Sequence, residues 1–597
     1  MIPYSAPIKD MRFTLNRVVG LERIASLPGY GDATPDLVDT ILAEAGKFAA
    51  GVLAPINQTG DHEGSVLKDG EAHQPESFCQ AYRQFVDAGW NGIPFDPDYG
   101  GQGLPWAVAF AVQEMWQSAN MAFGLCPMLN QGAVELLTKH ANQQQKDTYL
   151  AKLISGEWTG TMDLTESQAG SDLAAVRAKA VPQGDHFRLT GQKFFITYGD
   201  HDQAANIIHL VLARLPGSPV GSRGISLFIS PKYIVSEDGS LGPRNDIRCS
   251  GIEHKLGIKA SPTAVLSFGD NGGAVGYLVG EAGFGLEYMF SMMNNARLSV
   301  GLQGVAIAER AYQQARDYAR ARIQGKDLRQ PRGPSVAIIN HPDVRRMLLT
   351  MKALTEAGRI LAYEAGAGLD IAKCHPDATV RASAQLRVDL LTPVVKAWCT
   401  DLGCEVASIG IQVHGGMGYI EETGAAQHYR DARIAPIYEG TNGIQANDLL
   451  FRKLGRDNGA AVAEFLLDIK VLAITIADSD NEALAAIGRR LMAGIIVLEQ
   501  ATRWLLETIK PDPVAAATGA VHYLRMFGLV AGGAMLARAA AAAVEDMSQP
   551  GADANFLKGK ILTARFYADQ ILPQSAGLLT PITQGYGTVM ALDEDQF

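Results

Sequence analysis

One short segment combines the residue types that proton transfer requires. Glu439 lies between Tyr438 and Gly440, shortly after a helix-breaking Pro436. Glycine has no Cβ, so the backbone at Gly440 can approach a ligand closely. Burial would raise the pKa of Glu439 toward the range of a general base, whereas a helix N-terminus nearby would lower it. The segment predicts a general base at Glu439 or, if that residue acts alone, an ordinary loop carboxylate.

A helix that begins just after Gly440 would position this carboxylate. Thr441 and Asn442 are both favourable N-cap residues, and apolar residues recur at helical spacing over 444–454. Residues 427–433 have the composition of a charged helix end. We therefore expect Glu439 on a short connection between two helices.

Three other segments have compositions that favour ligand contact. Residues 412–419 include three glycines within a run of four, which suits an irregular loop. Residues 162–172 carry Thr and Ser hydroxyls, and residues 191–197 end in two aromatic residues, Ile and Thr. These segments precede Glu439 in the chain and are candidates to form one site with it.

Taken in order, these segments resemble the acyl-CoA dehydrogenase family. That family carries a Thr-Glu-x-x-x-Gly-Ser-Asp segment, here 165–172, and an aromatic-Ile-Thr segment, here 195–197. It also carries a Gln-x-x-Gly-Gly-x-Gly loop, here 412–418, and a Tyr-Arg-Asp-x-x-Ile segment followed by Tyr-Glu-Gly-Thr-x-x-Ile-Gln, here within 429–445. Each motif is weak alone, but all four occur in the family's order.

The resemblance implies a set of residues for each ligand. Those that would hold FAD are Met162, Leu164, Thr165, Gly170, Ser171, Phe195, Thr197, Arg322, Gln412, Gly416 and Thr441. Those that would contact the acyl-CoA are Ser171, Asn294, Arg297, Tyr438 and Gly440. The 412–416 loop of such proteins usually reaches the FAD of a neighbouring subunit, which implies a homodimer or homotetramer. We expect no metal site.

Several positions depart from the family pattern. Phe195 replaces the usual Trp, which keeps an aromatic platform but loses an indole donor. Arg320 is an alternative to Arg322, because the local spacing is one residue short. Some members place the base directly before the substrate-binding Arg. Ala296 occupies that position here, which favours Glu439.

The reaction that the resemblance implies is α,β-dehydrogenation of an acyl-CoA to the trans-2-enoyl-CoA, as in fatty-acid β-oxidation. Glu439 would take the Cα proton and flavin N5 the Cβ hydride, with electrons passing to an electron-transfer flavoprotein. Two alternatives are an acyl-CoA oxidase that uses dioxygen and a non-catalytic, nucleic-acid-associated homologue. The net charge of −11 weighs against the latter, since nucleic-acid binding needs clustered Lys and Arg.

Bulk properties indicate a large protein with sizeable cores. The chain has 597 residues, 47% hydrophobic and 19% charged, and its six cysteines include no C-x-x-C pair. They are expected to be reduced thiols of a cytoplasmic protein. Residues 1–7 lack the pattern of a signal peptide, and no run of 18 apolar residues predicts a membrane span.

The expected fold is mainly helical with a central β domain. Helical periodicity over 1–155 predicts an N-terminal α-domain, and short β-type runs over 156–280 predict a β-rich domain. Residues 281–454 would form a helical FAD and substrate domain with Glu439. Alanine- and leucine-rich periodicity over 455–597 predicts an additional helical domain. This extra domain resembles the subgroup of the family that includes 3-methylmercaptopropionyl-CoA dehydrogenase and larger fatty-acyl-CoA dehydrogenases.

Overall fold

The computed structural model describes residues 3–597, so Met1 and Ile2 of the segment predicted to lack a signal peptide lie outside it. The chain divides into two compact units. We call Lys47–Leu104 with Ala119–Ser299 the strand unit. The chain up to Gly46, Pro105–Ser118 and Val300–Phe597 form the helical unit. The predicted four-part division concerns contiguous stretches of sequence and stays a prediction.

The α-helices are numbered in chain order. They are α1 Ile8–Phe13, α2 Leu21–Ala25, α3 Pro35–Phe48, α4 Ala54–Glu63, α5 Glu76–Asp87, α6 Trp106–Ala119, α7 Met121–His140, α8 Gln143–Ser155, α9 Gly285–Ala321, α10 Pro342–Cys374, α11 Ala378–His414, α12 Ala425–Ala432, α13 Asn442–Asn447, α14 Ala460–Ala477, α15 Glu482–Thr508, α16 Pro513–Asp546, α17 Ala554–Gln570, α18 Leu579–Gln584 and α19 Tyr586–Val589.

The strands are numbered in the same way. They are β1 Val66–Lys68, β2 Glu71–His73, β3 Trp158–Asp163, β4 Lys179–Gln183, β5 His186–Thr197, β6 Asn206–Arg214, β7 Ile225–Pro231, β8 Tyr233–Val235, β9 Leu241–Arg244, β10 Ile247–Ile252, β11 Thr263–Phe268, β12 Ala274–Val279, β13 Ile323–Lys326 and β14 Ser335–Ala337.

An eight-stranded sheet organises the strand unit. Its order is β10-β11-β5-β12-β7-β6-β3, and β4 pairs with both β5 and β6. The pairing is antiparallel except where β6 meets β3 and β4. The long strand β5 pairs with β4 and β12 through its first half and with β11 through its second. Buried Leu189, Ile196, Phe228 and Leu266 pack in the core against this sheet.

Two parts of the strand unit differ from the sequence prediction. The predicted helical region 1–155 contains a hairpin, β1–β2, whose turn is Asp69-Gly70 with both φ angles positive, at 55° and 82°. An Asp-Gly pair favours this tight turn, which interrupts the helical pattern. The stretch 236–250, whose Gly, Asp and Arg content predicts an insert in the β-rich domain, forms β9 and most of β10. Strand β9 contains a glycine and a proline and gives no apolar alternation, whereas β10 alternates buried Ile247 and Cys249 with exposed Arg248 and Ser250.

Long helices build the helical unit. Helix α10 packs on α11, α14 on α15, and α16 on α17 as well as on α10 and α11. Within 455–597 the sequence predicts helices over 465–476, 484–506 and 515–544. These correspond to α14, α15 and α16 and confirm the expected extra helices. By length and composition α16 could cross a membrane, contrary to the sequence expectation, yet 83% of its most apolar window is buried inside the protein. That burial is typical of a core helix.

Helices α11 and α16 approach each other closely because two glycines of α16 face a tryptophan. A Cβ added at Gly528 would lie 2.3 Å from the Trp398 side chain, and one at Gly532 would lie 2.5 Å from it. Trp398 is 4% exposed. The two glycines therefore make the space that the indole fills.

A buried cluster of charges joins five helices of the helical unit. Its members are Asp10 of α1, Glu114 of α6, Glu309 of α9, Glu356 and Arg359 of α10, and Lys560 of α17. The Arg359 guanidinium donates to Asp10 at 2.6 Å and to Glu309 at 2.7 Å. Lys560 donates to Glu356 at 3.0 Å and also to Asp10. Removing one partner from such a cluster would leave a buried charge uncompensated.

Candidate active site

Residues 436–442, which we call the base segment, hold Glu439 in an unusual backbone conformation. Glu439 has φ 56° and Gly440 has φ 84°, so two consecutive residues lie in the left-handed region. A side chain there is strained unless its surroundings enforce the conformation, and such strain is concentrated at functional sites. At Gly440 a Cβ would also lie 2.6 Å from the side chain of Gln445. Glycine is therefore required directly after the candidate base.

Hydrogen bonds close the base segment into a rigid loop. The Asn442 amide donates to the Pro436 carbonyl at 3.0 Å. The buried Gln445 side chain donates to the Glu439 carbonyl at 3.2 Å. Thr441 accepts from the Ile444 amide at 3.2 Å, which confirms the predicted N-cap of α13. These bonds fix the backbone on both sides of the Glu439 carboxylate.

The neighbours of Glu439 enter the helical core. Tyr438 donates a hydrogen bond to the Gln303 side chain on α9. Burial raises the pKa of Tyr438, and the adjacent Glu439 carboxylate raises it further, so the phenol remains a donor. Glu439 itself is only partly buried. The segment is thus anchored by its tyrosine while its carboxyl group remains accessible.

A buried lysine that the sequence analysis missed also contacts the base segment. Lys396 of α11 donates to the Gly440 carbonyl at 2.7 Å and to the Asn442 side chain at 2.9 Å. It is the one charged residue in the apolar run 390–399. A lone lysine in an apolar helical run is the signal that could have identified it.

The other predicted residues of the helical unit lie on exposed surfaces. Gln412, in the last turn of α11, is exposed, and so is the glycine loop that follows it. Gly415 has φ 62°, and neither it nor Gly416 has a heavy atom within 4 Å of where a Cβ would be. Arg322 follows the end of α9 and is exposed as well. The open glycine loop and the exposed Arg322 guanidinium therefore leave room for a ligand.

In the strand unit, two predicted cofactor segments lie side by side. The Phe194 amide donates to the Thr165 carbonyl at 2.9 Å. Lys193, fully buried, donates to the Leu164 carbonyl at 3.0 Å and to the Glu166 carboxylate at 2.8 Å. Burial favours the protonated form of Glu166, but the Lys193 charge and hydrogen bonds outweigh it and lower the pKa of that carboxyl. This pair ties the loop 164–169 to strand β5.

A β-bulge directs Phe195 out of the sheet. Ile196 pairs with Ala264 and Lys193 pairs with Leu266, so two residues of β5 stand opposite one residue of β11. Phe195 has φ 59° and is 62% exposed. Bulges commonly redirect a side chain in this way. The Phe195 ring therefore lies outside the sheet, where its backbone is strained and its apolar surface is exposed to water.

The remaining residues of the strand unit that were predicted to hold FAD lie near these segments in the sequence. Met162 lies on β3, which pairs with β6, and Thr197 at the end of β5 pairs with Thr263. Gly170 and Ser171 are exposed, and Gly170 has open space where a Cβ would be. The loop is thus unobstructed on the side where a ligand would lie.

Arg297, which the apolar periodicity of the sequence places at the start of a long helix, lies in the interior of that helix. Helix α9 begins at Gly285, twelve residues before it. Arg297 is also buried, at 4% exposed, and donates to the exposed Asn294 at 3.1 Å with its guanidinium 5.8 Å from the Phe290 ring. Asn294 and Arg297, both predicted to contact substrate, are therefore adjacent on one face of α9.

The residues present fit a bound FAD. A flavin has flat aromatic faces, and the exposed, strained Phe195 ring is suited to stack against one of them. The open glycines at 415 and 416 permit close approach of backbone to a nucleotide, and the Arg322 guanidinium suits a pyrophosphate. Within residues 3–597 no group of His, Cys, Asp and Glu is arranged to hold a metal ion.

Four family models match the chain. They are an acyl-CoA dehydrogenase N-terminal domain over 38–157, a middle domain over 161–271, a C-terminal domain over 283–454 and an acetyl-CoA dehydrogenase C-terminal-like domain over 465–593. The last one matches the extra helices predicted from the sequence.

Whole-chain relatives extend these matches. A 3-methylmercaptopropionyl-CoA dehydrogenase of Ruegeria pomeroyi is 47% identical over 583 residues, 97% of this chain and 98% of the relative. A butyryl-CoA dehydrogenase of Syntrophomonas wolfei is 34% identical, over 100% of this chain and 99% of the relative. The fold of a Bacillus anthracis acyl-CoA dehydrogenase complexed with FAD matches with a TM-score of 0.74 at 20% identity, over 94% and 89% of the two chains. The predicted fold class, enzyme class and FAD cofactor are confirmed, and the chain belongs to the acyl-CoA dehydrogenase family.

Proposed function

We propose that Glu439 is the general base with which this chain removes a proton from Cα of an acyl-CoA thioester. The observation that carries the proposal is the enforced left-handed conformation of Glu439 between the Tyr438 and Gly440 anchors. A side chain in this conformation persists only where its surroundings enforce it. Here the surrounding hydrogen bonds hold it in one geometry, which is what a base in a near-attack arrangement needs.

The chain's own residues contribute binding, orientation and proton transfer. The Glu439 carboxylate accepts the Cα proton and becomes a carboxylic acid as the Cα–Cβ double bond forms. Bound FAD supplies the acceptor for the hydride that leaves Cβ, a role that no side chain can fill. Arg297, Asn294, Ser171 and Gly440 are proposed to contact the acyl-CoA. The product is the trans-2-enoyl-CoA, and the substrate has lost one proton from Cα and one hydride, a proton with two electrons, from Cβ.

Separate groups of residues are proposed to hold the flavin ring and the nucleotide part of FAD. Thr165, Gly170, Phe195 and Thr197 are proposed to contact the flavin ring, supported by the bonded pair of segments that contains them. Met162, Leu164 and Ser171 complete this set. Arg322 and Gln412, Gly416 and Thr441 of the helical unit are proposed to contact the nucleotide part. Gln412 and Gly416 would do so across a subunit interface.

We further propose that the preferred substrate is a short thioether acyl-CoA of the 3-methylmercaptopropionyl type. The relative with that name is 47% identical, whereas the butyryl-CoA dehydrogenase of similar coverage is 34% identical. The electron acceptor is proposed to be an electron-transfer flavoprotein, the assembly a homodimer or homotetramer, and the location cytoplasmic.

The test of the base is the Glu439→Gln variant under anaerobic conditions. Glutamine keeps the size of the side chain but cannot accept the proton. Because general acid–base groups typically contribute about 10²–10⁴-fold, we expect bleaching of the flavin absorption by acyl-CoA to slow toward the upper end of that range. FAD content, measured on the same sample, should match the unmodified protein. Fast bleaching in a variant with full FAD would show that another group takes the proton.

The test of the substrate uses the unmodified protein and a panel of thioesters. Rates of anaerobic bleaching are compared for 3-methylmercaptopropionyl-CoA, butyryl-CoA and octanoyl-CoA. We expect the largest ratio of rate constant to dissociation constant with the thioether substrate. The reduced protein is then exposed to air. Rapid reoxidation with one hydrogen peroxide per turnover would instead support the oxidase alternative.

A further inference from the structure

Lys396 is fully buried, at 0% exposed, in the middle of α11. Residues on either side, Val394, Val395, Ala397 and Trp398, are also buried. An ammonium group in such surroundings is costly unless each of its protons finds a partner. Its position in the core therefore requires an explanation in terms of what it binds.

Lys396 donates two hydrogen bonds to the base segment and also interacts electrostatically with Asp401 of its own helix. The ammonium donates to the Gly440 carbonyl at 2.7 Å and to the Asn442 side-chain oxygen at 2.9 Å. Gly440 and Asn442, which carry these two acceptors, lie on either side of Thr441. They are one and three positions after Glu439. A single buried charge thus holds the strained backbone directly after the candidate base.

Asn442 is itself clamped by α11. Its side-chain amide donates to the Asp401 carboxylate at 2.7 Å, to the Thr400 hydroxyl at 3.0 Å and to the Ala397 carbonyl at 3.1 Å. Its side-chain oxygen accepts a hydrogen bond from the Lys396 ammonium. The amide is therefore shared between four groups of one helix, and its orientation is fixed with respect to α11.

We propose that Lys396, acting through Gly440 and Asn442, is the positioning residue that sets the reactive geometry of Glu439. The inference rests on the proposed role of Glu439 as the base. Two consecutive left-handed residues persist only when their surroundings over-determine them. Loss of the ammonium would let the Gly440 peptide rotate, and the carboxylate would shift with it.

The principal test is Lys396→Met, which keeps the apolar stem and removes the charge and its donors. A displacement of about 1 Å of a reacting group can cost about 10²-fold in rate. We expect the rate constant of anaerobic flavin bleaching to fall by about this factor. The FAD content and the dissociation constant for the enoyl-CoA product should remain close to those of the unmodified protein.

An isotope effect separates positioning from a merely structural role. If Lys396→Met impairs proton removal, substitution of deuterium at Cα should slow bleaching by a larger ratio in the variant than in the unmodified protein. The ratio for deuterium at Cβ should not rise in parallel. Equal ratios in both proteins, or a loss of bleaching that follows FAD loss alone, would overturn the proposal.

Two further variants keep the test decisive if Lys396→Met folds poorly. Asn442→Ala removes the second acceptor of the Lys396 ammonium and should give the same Cα isotope signature with a smaller loss of rate. Thr392→Val, one turn before Lys396, is the matched control. Its hydroxyl bonds to the Val388 carbonyl within α11, and it should leave bleaching unchanged.

The double variant Glu439→Gln with Lys396→Met distinguishes failure of this inference from failure of the proposed function. If both ideas hold, the double variant bleaches no more slowly than Glu439→Gln, because Lys396 then has no base to position. Fast bleaching in Glu439→Gln alone would reject the proposed base. Slow bleaching in Glu439→Gln with full-speed bleaching in Lys396→Met would reject only the role of Lys396.

Discussion

Backbone strain at single residues marks the candidate site. Six non-glycine residues in the described chain have positive φ, and two of them are Phe195 and Glu439. Both were predicted site residues. One would present a ring to the cofactor and the other a carboxylate to the substrate. Left-handed residues are concentrated at ligand sites, although Asp69 in the β1–β2 turn and Asn458 share the conformation without a proposed ligand.

Replacing Phe195 by Gly should separate stability from cofactor binding. Glycine relieves about 1–3 kcal/mol of left-handed strain but costs about 0.5–1 kcal/mol in chain entropy. The free energy of unfolding of the FAD-free protein should therefore change little or rise slightly. An aromatic stacking contact contributes about 0.5–1.5 kcal/mol, so we expect FAD affinity to fall up to about tenfold. Fluorescence titration with FAD and urea unfolding measure the two quantities.

Asn458→Gly provides the control for this prediction. Asn458 also has a positive φ, 54°, but was not assigned to any ligand. It should show the same effect on unfolding and no effect on FAD affinity. A Phe195→Gly protein that binds FAD as tightly as the unmodified protein would remove Phe195 from the cofactor site.

At the level of elements, the long helices and the strong strands could be predicted from the sequence. Helical periodicity predicted α14 to α16, and apolar runs predicted β6 and β7, because each pattern reflects burial of one local face. Strand β9 could not be predicted, because it contains a glycine and a proline and is mostly exposed. Strand β10 does alternate buried Ile247 and Cys249 with exposed Arg248 and Ser250, so its pattern was present in the sequence and was missed. Lys396 was missed for another reason, because its partners lie 44 and 46 residues away.

The contact of α16 with α11 allows a paired prediction of opposite sign. In Gly528→Ala the new methyl group meets Trp398, so we expect a loss of about 1–3 kcal/mol in the free energy of unfolding. Gly559→Ala in α17 has open space at the new methyl group and should gain about 0.4–1 kcal/mol. Urea unfolding of the two variants checks both signs. A neutral Gly528→Ala would mean that the two helices separate easily.

At the level of the whole molecule, the helices after residue 454 are part of the helical core. Trp398 fills the space beside α16, and Lys560 of α17 supplies a cation to Asp10 and Glu356. Truncation after Lys453 would expose apolar surface and leave buried carboxylates without Lys560. We expect the truncated protein to aggregate or to lose FAD, as measured by size-exclusion chromatography and flavin absorbance.

A shorter truncation is the control. Residues 586–597 are all exposed, so their removal should leave solubility and FAD content unchanged. If truncation after Lys453 gives a soluble, yellow protein with the original assembly state, the last helices form an accessory domain instead.

The charge cluster around Asp10 also constrains how the protein is made. Asp10 leaves the ribosome 550 residues before Lys560, its partner in α17. Until then Asp10 and the carboxylates near it cannot reach their final arrangement, and the faces that α17 will cover remain open to other chains. Contacts of such long sequence separation form slowly, and the incomplete core is prone to aggregate. The charge cluster can therefore be completed only after α17 has been synthesised.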